Sequence, residues 1–132
     1  MQRTNIKSIV YKMMLLLAGL SIAAFADDIT IHLAPNTRVT KKTVRYECDA
    51  NGAKIGVPSG PFSVDYINGG ENSLVVVPIS GKPLIFSNVI SADGARYTAR
   101  VFTWWDARGE VALSSPSPSG ELRSTCKVVG AK

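Results

Sequence analysis

The sequence offers few groups with which to do chemistry. It holds one histidine, His32, and two cysteines, Cys48 and Cys126. A zinc site takes three or four ligands of these kinds. His32 and one distant thiol do not supply them, so neither a metal nor any other cofactor is expected. No Gly-x-Ser-x-Gly elbow marks a hydrolase nucleophile, and a lone histidine has no recognisable triad partner. No glycine loop ends in Lys-Ser/Thr to cradle phosphate. The acids are spread one or two per segment, with nothing that singles out a carboxylate pair. Long apolar runs are scarce as well: Met13–Phe25 spans 13 residues, short of the roughly 20 that cross a bilayer. Together these absences exclude the common catalytic signatures and favour a non-enzymatic binding domain.

What is present begins with an export signal. Arg3, Lys7 and Lys12 carry positive charge with no acid among them, the apolar run follows, and Ala24-Phe25-Ala26 closes it as a small-x-small site. That order is the n-region, h-region and cleavage site of a secretory signal, which assigns residues 1–26 to a signal peptide and 27–132 to one mature domain. A lipoprotein signal places a cysteine after the cleavage point. Here that residue is Asp27, so the mature chain is expected to be soluble, without a stable membrane anchor. Processing removes three bases and no acid, which lowers the formal charge from +5 to +2. A near-neutral surface excludes general nucleic-acid binding, which rests on neutralising many phosphates. Two cysteines in an exported chain suggest a disulfide; a reactive thiol or a metal ligand are the other readings of Cys48 and Cys126.

The mature sequence reads as all-β. Short segments rich in Val, Ile, Thr, Tyr and Phe alternate with turn residues. Expected strands are Ile29–Leu33, Thr43–Cys48, Ala53–Val57, Phe62–Ile67, Ser73–Ile79, Leu84–Ile90, Tyr97–Trp105, Glu110–Leu113 and Glu121–Val129. Asp49-Ala50-Asn51-Gly52 reads as a turn, and Ser114–Gly120 as a Ser/Pro/Gly loop. About eight strands at regular spacing, with no long amphipathic helix pattern, suit a small barrel or a sandwich. Trp104 and Trp105 are neighbours in one strand, so their rings point to opposite faces. One belongs in the core and the other on the outer surface or at an interface.

The most distinctive stretch runs from Ser91-Ala92-Asp93-Gly94-Ala95-Arg96-Tyr97 to Phe102-Thr103-Trp104-Trp105-Asp106-Ala107-Arg108-Gly109-Glu110. An exposed loop flanked by Arg and Tyr suits protein recognition, since these residue types dominate interface hot spots. The plainer reading is a hairpin turn with solvated arginines and a core tyrosine. Three features in order, over roughly Thr43 to Lys127, resemble the membrane-bound and periplasmic inhibitors of c-type lysozyme. They are Tyr46-x-Cys48-Asp49, the Asp93-Gly94-x-x-Tyr97 loop, and the tryptophan strand running into Gly109-Glu110-x-Ala112-Leu113, followed by a late cysteine.

The resemblance implies an eight-stranded antiparallel β-barrel closed by one disulfide, Cys48 to Cys126. It implies c-type lysozyme as the partner. The loop Ala92, Asp93, Gly94, Ala95, Arg96 and Tyr97 would enter the lysozyme cleft, with Arg108 adding a basic group from the next turn. The expected compartment is the periplasm of a Gram-negative bacterium. One departure matters: Asp93 stands where the family has serine. An ionised aspartate cannot donate a hydrogen bond to a carboxylate, and its placement against an acidic cleft costs affinity unless Arg96 or Arg108 intervenes. The competing reading is a small exported β-barrel that binds a lipid or envelope ligand, its Asp93–Tyr97 loop merely a turn.

Overall fold

The structure, a computed structural model, describes residues 29–130; the expected signal peptide, 1–26, lies outside them. Eight strands and one short helix follow in the order β1 (Val39–Cys48), α1 (Ala50–Ile55), β2 (Phe62–Gly69), β3 (Asn72–Ile79), β4 (Lys82–Val89), β5 (Ala95–Ala99), β6 (Phe102–Ala107), β7 (Glu110–Ser117) and β8 (Gly120–Val128). Each strand pairs antiparallel with the next, and β8 pairs with β1, giving a closed up-and-down barrel. Of the two architectures that the strand spacing allowed, the barrel is the one formed. Closure removes the exposed edges that an open sheet of this size would leave.

Alternation along the strands fills the interior. Tyr46, Phe62, Val64, Val75, Val77, Phe86, Tyr97, Trp104, Val111 and Leu113 all point inward and are buried. An eight-stranded barrel is just wide enough for side chains to fill. Trp104 is the largest of them, and its ring meets Tyr46 edge-on at 5.2 Å between centroids. Trp105, the next residue, faces outward and is half-buried, as the two-residue period requires.

The seam between β1 and β8 is short. Only three residue pairs close it: Tyr46 with Val128, Glu47 with Lys127, and Cys48 with Cys126. The disulfide Cys48–Cys126 joins the last of these directly opposed pairs. It ties the first strand to the last at a seam that, like β4–β5, has only three ladder pairs to hold it.

Four local expectations are corrected. Ala53–Val57 is not a strand, because Asp49 caps a helix instead of opening a hairpin. Its carboxylate accepts from the Asn51 backbone N–H at 3.0 Å, and Gly56 ends the helix one turn later. Ile29–Leu33 forms no strand. Ile29 and Ile31 are 89% and 80% exposed, so no core selects the alternation there. Tyr97–Trp105 is two strands, turned at Arg100-Val101 with Arg100 at φ +54°. Ser114–Gly120 is mostly strand. Beyond Ser114, β7 has outrun β6 and pairs with β8 alone, so Pro116 occupies an edge position, where proline is tolerated.

Asp49 also holds α1 to β8. Its Oδ1 accepts from Ser124 Oγ at 2.7 Å and its Oδ2 from the Thr125 N–H at 2.9 Å. The Thr125 N–H, then the Ser124 hydroxyl, hold this carboxyl below the usual carboxylate range. A depressed carboxyl pKa contributes stability above its unfolded value of about 3.9, and that contribution is lost as pH falls through the folded value. Asp49→Ala is expected to cost about 1–2 kcal/mol at neutral pH, the loss of a helix cap. Urea unfolding of both proteins checks this: the gap should narrow steadily as the pH is lowered from 5 to about 2.

Candidate functional site

In an up-and-down barrel, alternate connections share an end. The β2–β3 turn, the β4–β5 loop (residues 90–94) and the β6–β7 turn (Arg108-Gly109) therefore lie together on one rim. The β6–β7 turn has two residues, with Arg108 at φ +56° and Gly109 at φ +81°. Positive φ at both positions is the turn whose twist matches a right-handed hairpin. It projects Arg108 from the rim, highly exposed.

The neighbouring loop is clamped against that hairpin. Gly94 sits at φ +64°, and a Cβ there would collide with the Asp106 carbonyl and lie 2.8 Å from Ala107 Cβ. Only glycine permits so close an approach. Trp105 Nε1 donates to the Asp93 carbonyl at 2.8 Å. Ser91 Oγ donates to the Asp93 and Gly94 carbonyls at 3.0 and 3.1 Å. Arg108 Nε donates to Asp93 Oδ2 at 3.0 Å, an ion pair whose side chains are 86% and 49% exposed. An exposed pair of this kind contributes about 0–1 kcal/mol to stability. Its effect is on placement: it fixes the guanidinium beside the loop and neutralises Asp93.

Beneath the rim, Tyr66 joins the hairpin to the core. Its Oη accepts from Trp104 Nε1 at 3.0 Å, donates to Asp106 Oδ2 at 3.2 Å and lies 2.8 Å from Tyr46 Oη. Because the Tyr66 O–H donates to Asp106, Tyr66 Oη accepts the hydrogen bond from the Tyr46 O–H. Burial, then the hydrogen bond with Tyr46, push the Tyr66 phenol far above its ordinary value, so it stays protonated. Asp106 is two residues before Arg108, so this network steadies the strand that carries the turn.

The structure thus brings together Ala92, Asp93, Gly94, Ala95 and Arg108, and separates Arg96 and Tyr97 from them. Ala92, Asp93 and Gly94 are exposed at the rim. Arg96 lies on the outer wall, opposite Trp105 in register. Tyr97 is buried, its Oη 3.1 Å from Ser73 Oγ, and supports the loop from within. Ser91 and Trp105 clamp the loop, and sequence reasoning gave neither a role in it. The sequence showed that one tryptophan of the pair faces outward but not that it is Trp105, and Ser91 carried no signal. A cavity of about 700 Å³ opens beside the hairpin, lined by Lys42, Tyr46, Tyr66, Asn68 and Asp106 among others. It is a mouth and not a lumen, because side chains fill the barrel below it.

Residues 46–121 match the family described as membrane-bound lysozyme-inhibitor of c-type lysozyme. The chain is 41% identical over 90 residues to the membrane-bound lysozyme inhibitor of C-type lysozyme of Pseudomonas aeruginosa, covering 67% of this chain and 65% of that protein. It is 39% identical over 69 residues to the protein of the same name from Cupriavidus necator, covering 52% of this chain and 48% of the relative. The chain therefore spans just under two thirds of one curated relative and about half of the other. Among solved structures it is similar to Pseudomonas aeruginosa MliC in complex with hen egg white lysozyme. The TM-score is 0.58 and the identity 35%, over 79% of this chain and 98% of that one.

Proposed function

The chain belongs to the family of membrane-bound lysozyme inhibitors of c-type lysozyme, and from that premise we propose that it blocks a c-type lysozyme by filling its cleft, with no enzymatic chemistry of its own. The observation that carries this reading is the clamped rim: a loop pinned at Asp93 and Gly94 beside the projecting Arg108. Lysozyme cleaves glycans with two carboxylates that flank the scissile bond. A cation held on a rigid edge is complementary to such a cleft, and rigidity lowers the ordering cost of binding. With Arg108 Nε committed to Asp93, its two terminal nitrogens remain to bind a carboxylate end-on. Arg108 is thereby the group that lets an aspartate occupy a position where the family has serine.

On this reading the protein is exported to the periplasm and works there as a soluble domain. The lipid-binding alternative is not favoured, since the barrel interior is occupied by its own side chains.

Inhibition constants of variants test the assignment. Arg108→Ala removes the cation and leaves Asp93 unscreened, and is expected to weaken inhibition about 30-fold or more, as for a charge pair broken in a desolvated interface. Asp93→Ser alone should change it by less than about threefold. The double variant should recover part of the loss, because the repulsion goes with the aspartate. Wild-type inhibition by a folded Arg108→Ala protein would overturn the proposal, and Arg96→Ala, on the outer wall, should inhibit as well as the wild type.

A further inference from the structure

We propose that the outer wall of the barrel carries a second site, a groove that binds an acidic saccharide. The face of β5–β8 that points to solvent places Arg96, Trp105, Ala112 and Thr125 side by side in register. Thr103, Ser114 and Arg123 form the next row. Two shallow depressions, of about 430 and 480 Å³, lie against this face, and both are bordered by Trp105 and Arg123. These volumes fall within the range of about 300–1,000 Å³ typical of small-ligand sites.

The chemistry of the groove is specific. Its floor is made of small side chains, the half-buried Thr103 and Ala112 and the buried Ser114. Trp105 rises from it as a half-buried aromatic wall. The Arg123 guanidinium lies 5.7 Å from the centre of the indole ring, and Arg96 stands on the opposite side, one strand away. Among the described residues neither arginine is in an ion pair, whereas Asp93 and Glu110 are each matched by a cation of their own, Arg108 and Lys127. Glu121 at the far end is the one further acid that lines the 430 Å³ groove. Its two arginines therefore leave a positive excess around an aromatic surface.

Guanidinium forks bind carboxylates bidentately. The part of the indole that Arg123 does not cover offers apolar area for the carbon face of a sugar ring, and the Thr103 hydroxyl exchanges hydrogen bonds with ring hydroxyls. A chain of uronic acids meets all three demands at once. An acidic peptide would use the arginines but leave the Thr103 hydroxyl unmatched. The groove runs along the wall up to the rim, where Ala92 borders both depressions and Asp93 and Arg108 border the larger; its own cations, Arg96 and Arg123, are not the rim cation, so the proposal does not rest on the lysozyme reading.

Amide and indole NMR of the folded domain, titrated with hexagalacturonate, tests it. The Trp105 indole signal is expected to shift saturably while that of buried Trp104 stays put. Arg96→Ala and Arg123→Ala should each weaken binding by at least about fivefold, the loss of a bidentate contact. Arg100→Ala, in the turn at the other end of the barrel, should leave it unchanged. Uncharged maltohexaose should bind far more weakly. An equal response to maltohexaose, an equal response to hexaglutamate, or no saturable shift would each overturn the assignment.

Discussion

Gly94→Ala is expected to weaken lysozyme inhibition by about a hundredfold or more while the barrel remains folded. The backbone at φ +64° already strains an L-residue by roughly 1–2 kcal/mol. The new methyl would also meet the Asp106 carbonyl and the Ala107 backbone, whose Cα lies only 2.9 Å away. A side chain could rotate aside, but these are main-chain atoms of β6. The loop must lift instead, and lifting it breaks the Trp105 and Ser91 hydrogen bonds to the Asp93 carbonyl. Asp93 then no longer aligns Arg108. The damage stays local because the loop is exposed and the core residues lie elsewhere. Inhibition assays paired with a thermal melt check this: a large loss of inhibition should accompany a drop of only a few degrees in Tm, as expected for about 1 kcal/mol in a domain of this size. Wild-type inhibition by a folded Gly94→Ala protein would show that the loop's conformation is not what the partner reads.

The second large effect concerns the seam. The paired change Cys48→Ser and Cys126→Ser opens a closed loop of 79 residues, the sequence separation being 78. The chain-entropy model assigns such a loop about 4.5 kcal/mol, and loss of a native disulfide from a small secreted domain typically costs about 2–5. Against the roughly 5–15 kcal/mol that holds a domain together, that is a large share. It falls where only three residue pairs join β1 to β8. Denaturant titration with and without reductant should show the wild type shifting to the midpoint of the double variant on reduction. A variant as stable as the oxidised wild type would mean that the three ladder pairs and the buried core hold the seam alone.

The all-β character, most of the strands and the opposite facing of the two tryptophans were legible because each rests on a period of two and on turn residues, whereas the antiparallel barrel was implied by the family resemblance alone. The errors fell where those signals are silent. Arg100-Val101 contains no glycine, proline or asparagine, yet turns the chain, so two strands read as one. Ser114–Ser117 is rich in turn formers, yet pairs with β8 throughout. Asp49-Ala50-Asn51-Gly52 suits a hairpin turn or a helix cap equally, and the nearby hydrogen bonds to Ser124 and Thr125 decide between them. The site shows the same division. Gly94 and Arg108 were legible as turn residues. The loop's attachment to Trp105, 12 positions after Asp93, and the wall formed by Arg96 and Arg123 exist only through the register of β5 to β8.

The central claim is that a rigid, cation-bearing rim fills a lysozyme cleft. A turbidity assay with c-type lysozyme and a bacterial cell-wall suspension, run against the oxidised mature domain, addresses it most directly. Lysis should fall in proportion to added protein and stop at a one-to-one ratio, with a stable complex of that stoichiometry on a sizing column. Lysis at the uninhibited rate in a severalfold excess of folded protein would contradict the account.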